Sequence, residues 1–322
     1  MRKLIFPVRC CLTAGKNIVQ RLKTKIMKKE DKRTICRQAD SSRIKQKIGF
    51  GIISLCMFTT VLFLFAIICF IGVKGIRVIS WEFLTQAPRD SMTAGGVAPA
   101  IVGTICLTLG AVLFSFPLGV ACAIYLCEYT PKSYIVNIIR ISINNLAGVP
   151  SVVFGLFGLA VFVKYFGFGV SILSGSLALG IVVLPVIISA AQEALLAVPQ
   201  SLREASLAVG ATKWQTIKKL VLPAAMPGIL TGVILSIGRV AGETAPILFT
   251  AAAFYLKGYP KSIFSEVMAL PYHIYALMTE GSHPDQQTAI AYGCCLILLC
   301  LVLLVSAIAI FIRQKQRSYY HG

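Results

Sequence analysis

Between Lys219 and Lys257 the chain carries two charges, Arg239 and Glu243, in an otherwise apolar run. Four residues apart, they share one face of a helix and can pair, which lowers the cost of removing either from water. At about 1.5 Å per residue, Arg239 lies about 18 Å into a helix counted from Pro227, near the middle of a hydrocarbon layer about 30 Å thick. An ionised side chain at that depth is expensive and marks a functional path by default, with a fixed ion pair between helices as the alternative. Other reactive residues are scattered. His273 and His283 fall in a loop and His321 in the tail, where they read as solvated surface groups. No His-Glu-x-x-His, Gly-x-Ser-x-Gly or phosphate-cradling Gly-rich Lys-Ser/Thr motif occurs, which argues against a membrane-embedded hydrolase or phosphotransferase. Cys56, Cys69, Cys106, Cys122, Cys127, Cys294, Cys295 and Cys300 sit in or beside apolar runs without metal-ligand spacing. They read as small buried hydrophobes, so no catalytic residue, metal or cofactor is expected.

A charge pair in lipid needs a bundle to hold it. Of 322 residues, 57% are apolar, and 31 Lys and Arg stand against only 12 Asp and Glu. So low a charge content describes a membrane protein. The positive excess is concentrated at the ends, at +12 over residues 1–47 and +3 from Arg313 onward. A nucleic-acid binder would spread it over a folded surface, so nucleic acid is excluded as a partner.

Six charge-free gaps are long enough to span. They run between Lys47 and Lys74, Asp90 and Glu128 (read as one helix over about 100–126), Arg140 and Lys164, Lys164 and Glu193, Lys219 and Arg239 continuing to Lys257, and Asp285 and Arg313. The fold class is therefore all-α, a polytopic bundle of six transmembrane helices. Residues 1–47 form a basic extension, 48–312 the transmembrane domain and 313–322 a tail. With the amino terminus inside, 24 Lys/Arg fall on the cytoplasmic side and 6 outside, so both termini are expected in the cytoplasm. The extension is no signal peptide, because the apolar run after it is long and lacks a small-residue cleavage site. It reads as a segment lying on anionic lipid.

Pro117, Pro150, Pro185 and Pro246 interrupt spans, and lipid tolerates such breaks only where neighbouring helices or a watery cavity satisfy the freed carbonyls. Gly228, Gly232 and Ser236 recur every four residues, as do Gly238 and Gly242, in stripes that let helices approach closely.

The least membrane-like stretch between spans is 198–223, VPQSLREASLAVGATKWQTIKKLVLP. Pro199 suits a helix opening, and Leu202, Ala205, Ser206 and Val209 share one face. Gly210 stands where a left-handed C-terminal residue belongs. Thr212 with Gln215 reads as a capping box for a second helix that Pro223 should stop. Such a helix-turn-helix is either a cytoplasmic docking surface or a pair lying flat in the membrane interface.

Glu204-Ala205-Ser206, Gly210 six residues after the Glu, and Leu220-Val221-Leu222-Pro223 resemble the EAA loop of ABC importer permeases, with Ser206 for the second Ala and Leu220 for Ile. Further runs, 144–162, 184–217 and above all LPAAMPGILTGVILSIGRVAGETAPILFTA at 222–251, resemble the PstA-type permease subunit of phosphate ABC importers. Asn144 stands where relatives often carry an acid. The resemblance covers about residues 50–312 and implies an inner-membrane permease without chemistry of its own. It implies a homologous permease chain as partner, two cytoplasmic ATP-binding subunits docking on Glu204, Ala205, Gly210, Leu220, Leu222 and Pro223, and an external phosphate-binding protein. Arg239 and Glu243 would line the path, since a guanidinium offers planar, bidentate donors to phosphate at any relevant pH. Another oxyanion is the alternative cargo. A secondary transporter or channel would not need the loop.

Overall fold

The computed structural model describes residues 46–321 other than 90, 91, 93, 131–132, 254, 257 and 281–283. The basic extension before residue 46, Lys132, Lys257 and His283 lie outside the described residues. So do the side chains of Asp285 and of the tail from Lys315 onward, His321 included. Contacts divide the chain at Cys69 into two compact units, and the packing below concerns the second, from Phe70.

Helices account for most of the described residues. In order they are α1 (Gln46–Gly75), α2 (Trp81–Thr85), α3 (Ala98–Ile124), α4 (Tyr134–Leu146), α5 (Ser151–Gly158), α6 (Ile172–Leu196), α7 (Gln200–Ala208), α8 (Lys213–Thr216), α9 (Leu222–Gly242), α10 (Ala245–Thr250), α11 (Leu270–Thr279) and α12 (Pro284–His321). One small hairpin pairs β1 (Pro88–Arg89) with β2 (Ala94–Gly95). Wide π turns extend α3 to Tyr129 and α5 to Tyr165, and a third joins α8 to α9 through Ile217–Val221.

Among the described residues, five helical runs are long and apolar enough to cross a membrane: 46–75, 98–129, 172–196, 213–242 and 286–314. They answer five of the six expected spans. The sixth differs from expectation. Where one span was predicted between Arg140 and Lys164, α4 and α5 with its π turn meet at 99°. Pro150 is the reason. It opens α5 with an extended ψ of 137°, has no N–H to continue a helix from α4, and pushes the residue before it toward extended backbone. Pro117 and Pro185, in contrast, sit inside continuous helices, and Pro246 opens α10.

The core lies where α3, α6 and α9 meet. Leu107 and Ala111 of α3, Leu179, Val183 and Ile187 of α6, Val240 of α9 and Ile247 of α10 form one cluster. A second cluster joins the ends of α3, α6 and the π turn before α9, through Ala123, Leu195 and Val221. Buried hydroxyls return their protons to the preceding turn, as Ser115 does to the Ala111 carbonyl (2.7 Å) and Ser236 to that of Gly232 (2.9 Å). These hydroxyls are thereby not left unpaired in an apolar layer. The cysteine expectation holds only in part: Cys294 is buried, but Cys56, Cys69 and Cys300 are exposed on apolar faces, as a thiol in lipid can be.

The stretch between the fifth and sixth spans is not the solvated loop expected from its length. It folds back as α11, whose Leu270 N–H donates to the Thr104 hydroxyl of α3 at 2.8 Å. His273 on α11 is 2% exposed, which overturns the surface reading of that residue. Pro271 at the helix start and apolar residues at Leu270, Ile274 and Leu277 drive the burial.

Candidate functional site

The Gly228–Gly232–Ser236 stripe seats α9 on α6: a Cβ at Gly228 would strike Ala194, and one at Gly232 would strike Ala190. Gly238 and Gly242 form no such contact with α6. Continuing this antiparallel register aligns Arg239 with Val183, the middle of α6. Arg239 is therefore level with the middle of α6. The helix itself behaves differently. It does not run on toward residue 257 but ends at Gly242, and Glu243 is already extended (φ −72°, ψ 133°) before α10 begins. Arg239 thus occupies the last turn of α9, where unpaired carbonyls and the helix dipole favour a cation.

The two side chains meet at the break. Arg239 Nε donates to Glu243 Oε1 at 3.3 Å, a long contact for a charge-assisted bond. The arginine side chain is 38% exposed and the glutamate 14%. A guanidinium with most of its donors uncommitted, beside one enclosed carboxylate, can exchange that carboxylate for an anion arriving on its open face.

The polar loop folds largely as its sequence indicates. α7 opens after Pro199, and Gly210 adopts φ +85°. The Thr212 N–H donates to Gln215 Oε1 (2.9 Å) and the Gln215 N–H to Thr212 Oγ1 (3.3 Å), closing the capping box. Pro223 does not stop the second helix. The π turn widens the helix just before it, with the Leu222 N–H reaching back five residues to the Ile217 carbonyl, and this makes room for the proline ring. Helix therefore runs from Lys213 to Gly242, so the loop and Arg239 share one rod. Glu204, Ala205 and Gly210 are exposed, as are Leu202 (43%) and Val209 (85%); Leu220, Leu222 and Pro223 are half-buried at the base. The loop residues and the Arg239–Glu243 pair are thus two separate places on the chain.

One residue of the loop escaped the sequence reading. Arg203 faces inward while its neighbours face out. Its Nε and one terminal nitrogen both donate to Glu128 Oε1 (3.1 and 3.0 Å), and its terminal nitrogens also reach the carbonyls of Leu195 (2.7 Å) and Val198 (2.5 Å). Both charges are largely enclosed, at 14% and 11% exposure. Glu128 bounds an apolar gap in the sequence, and nothing in a spacing 75 residues long announces its partner. Nearby, Ser206 and Thr216 share a hydroxyl hydrogen bond of 2.9 Å between α7 and α8.

Residues 115–317 match the family model of the binding-protein-dependent transport system inner membrane component. Among curated proteins, the chain is 34% identical over 278 residues to the probable ABC transporter permease protein YqgI of Bacillus subtilis, covering 83% of this chain and 94% of that one. It is 39% identical over 238 residues to the phosphate transport system permease protein PstA 1 of Mycobacterium tuberculosis (72% and 75% covered). It is 35% identical over 262 residues to the probable phosphate transport system permease protein PstA of Methanocaldococcus jannaschii (81% and 91%). In fold it is similar to the inward-facing MetNI methionine ABC transporter, with a TM-score of 0.54 at 20% identity, covering 67% of this chain and 94% of that one. A bacterial ABC transporter that imports the acidic polysaccharide alginate gives 0.55 at 15% identity, with 85% and 99% covered.

Proposed function

The chain belongs to the binding-protein-dependent transport system inner membrane component family and is a permease subunit of an ABC importer, and from that premise we propose that its cargo is phosphate. The observation that carries the reading is the Arg239–Glu243 pair, with Arg239 level with the middle of α6. The names of the PstA relatives point the same way. Phosphate presents paired oxygens that match the planar, bidentate donors of a guanidinium. Arg239 releases Glu243 when the anion arrives and recovers it when the anion leaves. That exchange keeps Arg239 paired at both stages, while the enclosed Glu243 carboxylate gives up its cation for as long as the anion is bound.

The chain does no bond chemistry itself. It forms the path with a homologous permease chain, receives phosphate from an external binding protein, and is driven by two cytoplasmic ATP-hydrolysing subunits. Those subunits dock on the exposed face of α7, with Glu204, Ala205 and Gly210 at the contact and Leu220, Leu222 and Pro223 setting its base. Both termini lie in the cytoplasm. Labelled phosphate uptake tests the reading, measured in a strain lacking its own importer and supplied with this chain and its partner subunits. Uptake should require all components and resist competition by sulfate. Sulfate competing as well as phosphate would move the assignment to a broader oxyanion permease.

A further inference from the structure

We propose that Arg203 is a positioning residue that transmits movement of α7 to the membrane bundle, clamping the coupling helix to two spans at once. The inference rests on the permease reading above and adds to it the route by which force leaves the loop.

α7 is nearly detached otherwise. None of its residues is buried, and its outward face is exposed. Among the described residues, the side chains that hydrogen-bond it to its surroundings are Ser206 and Arg203. Ser206 bonds Thr216 at the head of the rod that carries Arg239. Arg203 does more, because its guanidinium ties α7, which carries it, to three places: the π turn ending the α3 span through Glu128, the end of α6 through the Leu195 carbonyl, and the link between α6 and α7 through the Val198 carbonyl. The Leu195 carbonyl is among the last of α6, and the Val198 carbonyl lies just beyond its end, where few intrahelical donors remain to meet them. The planar fork spreads donors to both sides, so one residue closes the whole junction. A lysine ammonium, a point on a flexible stem, cannot span the three acceptors together.

The direction of force follows from the packing. α3 and α6 share the central core, and α6 carries Ala190 and Ala194, on which α9 rides. A displacement of α7 that Arg203 passes to α6 therefore reaches the helix that ends at Arg239. Without the clamp, α7 moves alone and the bundle does not follow.

The test uses the assembled complex with its companion permease and ATP-hydrolysing subunits. Amide hydrogen exchange is measured with and without nucleotide for wild type, Arg203→Lys and Glu128→Gln. In wild type, nucleotide should change exchange at residues 200–216 and also at 123–130 and 190–198. In Arg203→Lys the change should stay within 200–216, while ATPase recovery remains within twofold of wild type and phosphate moved per ATP falls at least tenfold. Glu128→Gln keeps the acceptor and both carbonyl contacts, so its ratio should fall only a few-fold. If exchange at 123–130 and 190–198 still responds in Arg203→Lys, or if transport and ATP hydrolysis fall in proportion, the clamp is refuted. A wild-type complex that shows the exchange pattern yet moves no phosphate would sink the cargo assignment and leave the clamp standing.

Discussion

At the scale of single residues, the chemistry rests on which donors stay free. Arg239 commits one nitrogen to Glu243 and, among the described residues, keeps the rest open at the break in α9. Arg239→Lys retains the charge but loses the planar fork, so uptake should fall roughly tenfold or more at unchanged melting temperature. Glu243→Gln should destabilise by less than the roughly 3–5 kcal/mol of a broken, fully buried pair, since a side chain 38% exposed is partly relieved by its surroundings. The double change to Gln at both positions should fold and fail to transport. Normal uptake by that double variant would remove Arg239 from the path.

His273 gives a second test at the same scale. Burial lowers its pKa from 6.5 to about 4, and its Nδ1 has no hydrogen-bond partner among the described residues. The folded chain holds this ring neutral, whereas the unfolded chain protonates it near 6.5. Stability should therefore be fully present above about pH 6.5 and decline as pH falls toward 4, by on the order of 3 kcal/mol for this group alone. His273→Leu removes the titration and fills the same apolar site. Its melting temperature, compared with wild type across pH 4–7 in detergent, should gain on wild type as pH falls; parallel curves would contradict the neutral buried ring.

At the scale of elements, the loop was the most legible part, because its signals are local. A capping box, a proline at a helix opening and a glycine past a helix end each need only a few neighbouring residues. Gly210→Val at φ +85° should cost about 1–2 kcal/mol and tilt α7 against α8, reducing recovery of the ATP-hydrolysing subunit before it reduces insertion. Gly232→Val, pressing on Ala190, should separate α9 from α6 and lower stability by about 1–3 kcal/mol. Melting of the solubilised chain checks the second, and co-purification the first. Where the reading fell short, the cause was the ruler. A charge-free gap measures apolar length and is blind to a turn inside it, so the bend at Pro150 and the break at Glu243 both passed as continuous span. α11, at ten residues, is too short for that ruler, which left His273 assigned to the surface. The Arg203–Glu128 pair joins residues brought together only by the packing of α3, α6 and α7, and no local pattern encodes it.

At the scale of the whole molecule, the remaining question is which way the bundle faces. The positive-inside count puts the loop at 198–223 in the cytoplasm and Lys261 outside. The packing sets these two levels at opposite ends of the same helices. The Ile172 and Leu173 N–H groups, at the start of α6, donate to the carbonyls of Ser265 and Ile263, beside Lys261, whereas Arg203 grips the carbonyls at the other end of α6. Arg313, near the end of the last span, donates to Thr231 Oγ1 at 3.0 Å, so the carboxyl-terminal end of α12 lies closer to the Arg203 level than Arg239 does. Arginine side chains that lie along a helix toward the headgroups behave in this way. The orientation therefore reduces to one sign, and two labels determine it. In a background without native cysteines, Lys213→Cys should react with an impermeant maleimide only in inside-out vesicles and Lys261→Cys only in intact spheroplasts. Reaction of position 261 from the cytoplasmic side would invert the bundle. The exposed face of α7 would then be out of reach of any ATP-hydrolysing partner, and the docking role assigned to Glu204, Ala205 and Gly210 would fall with it.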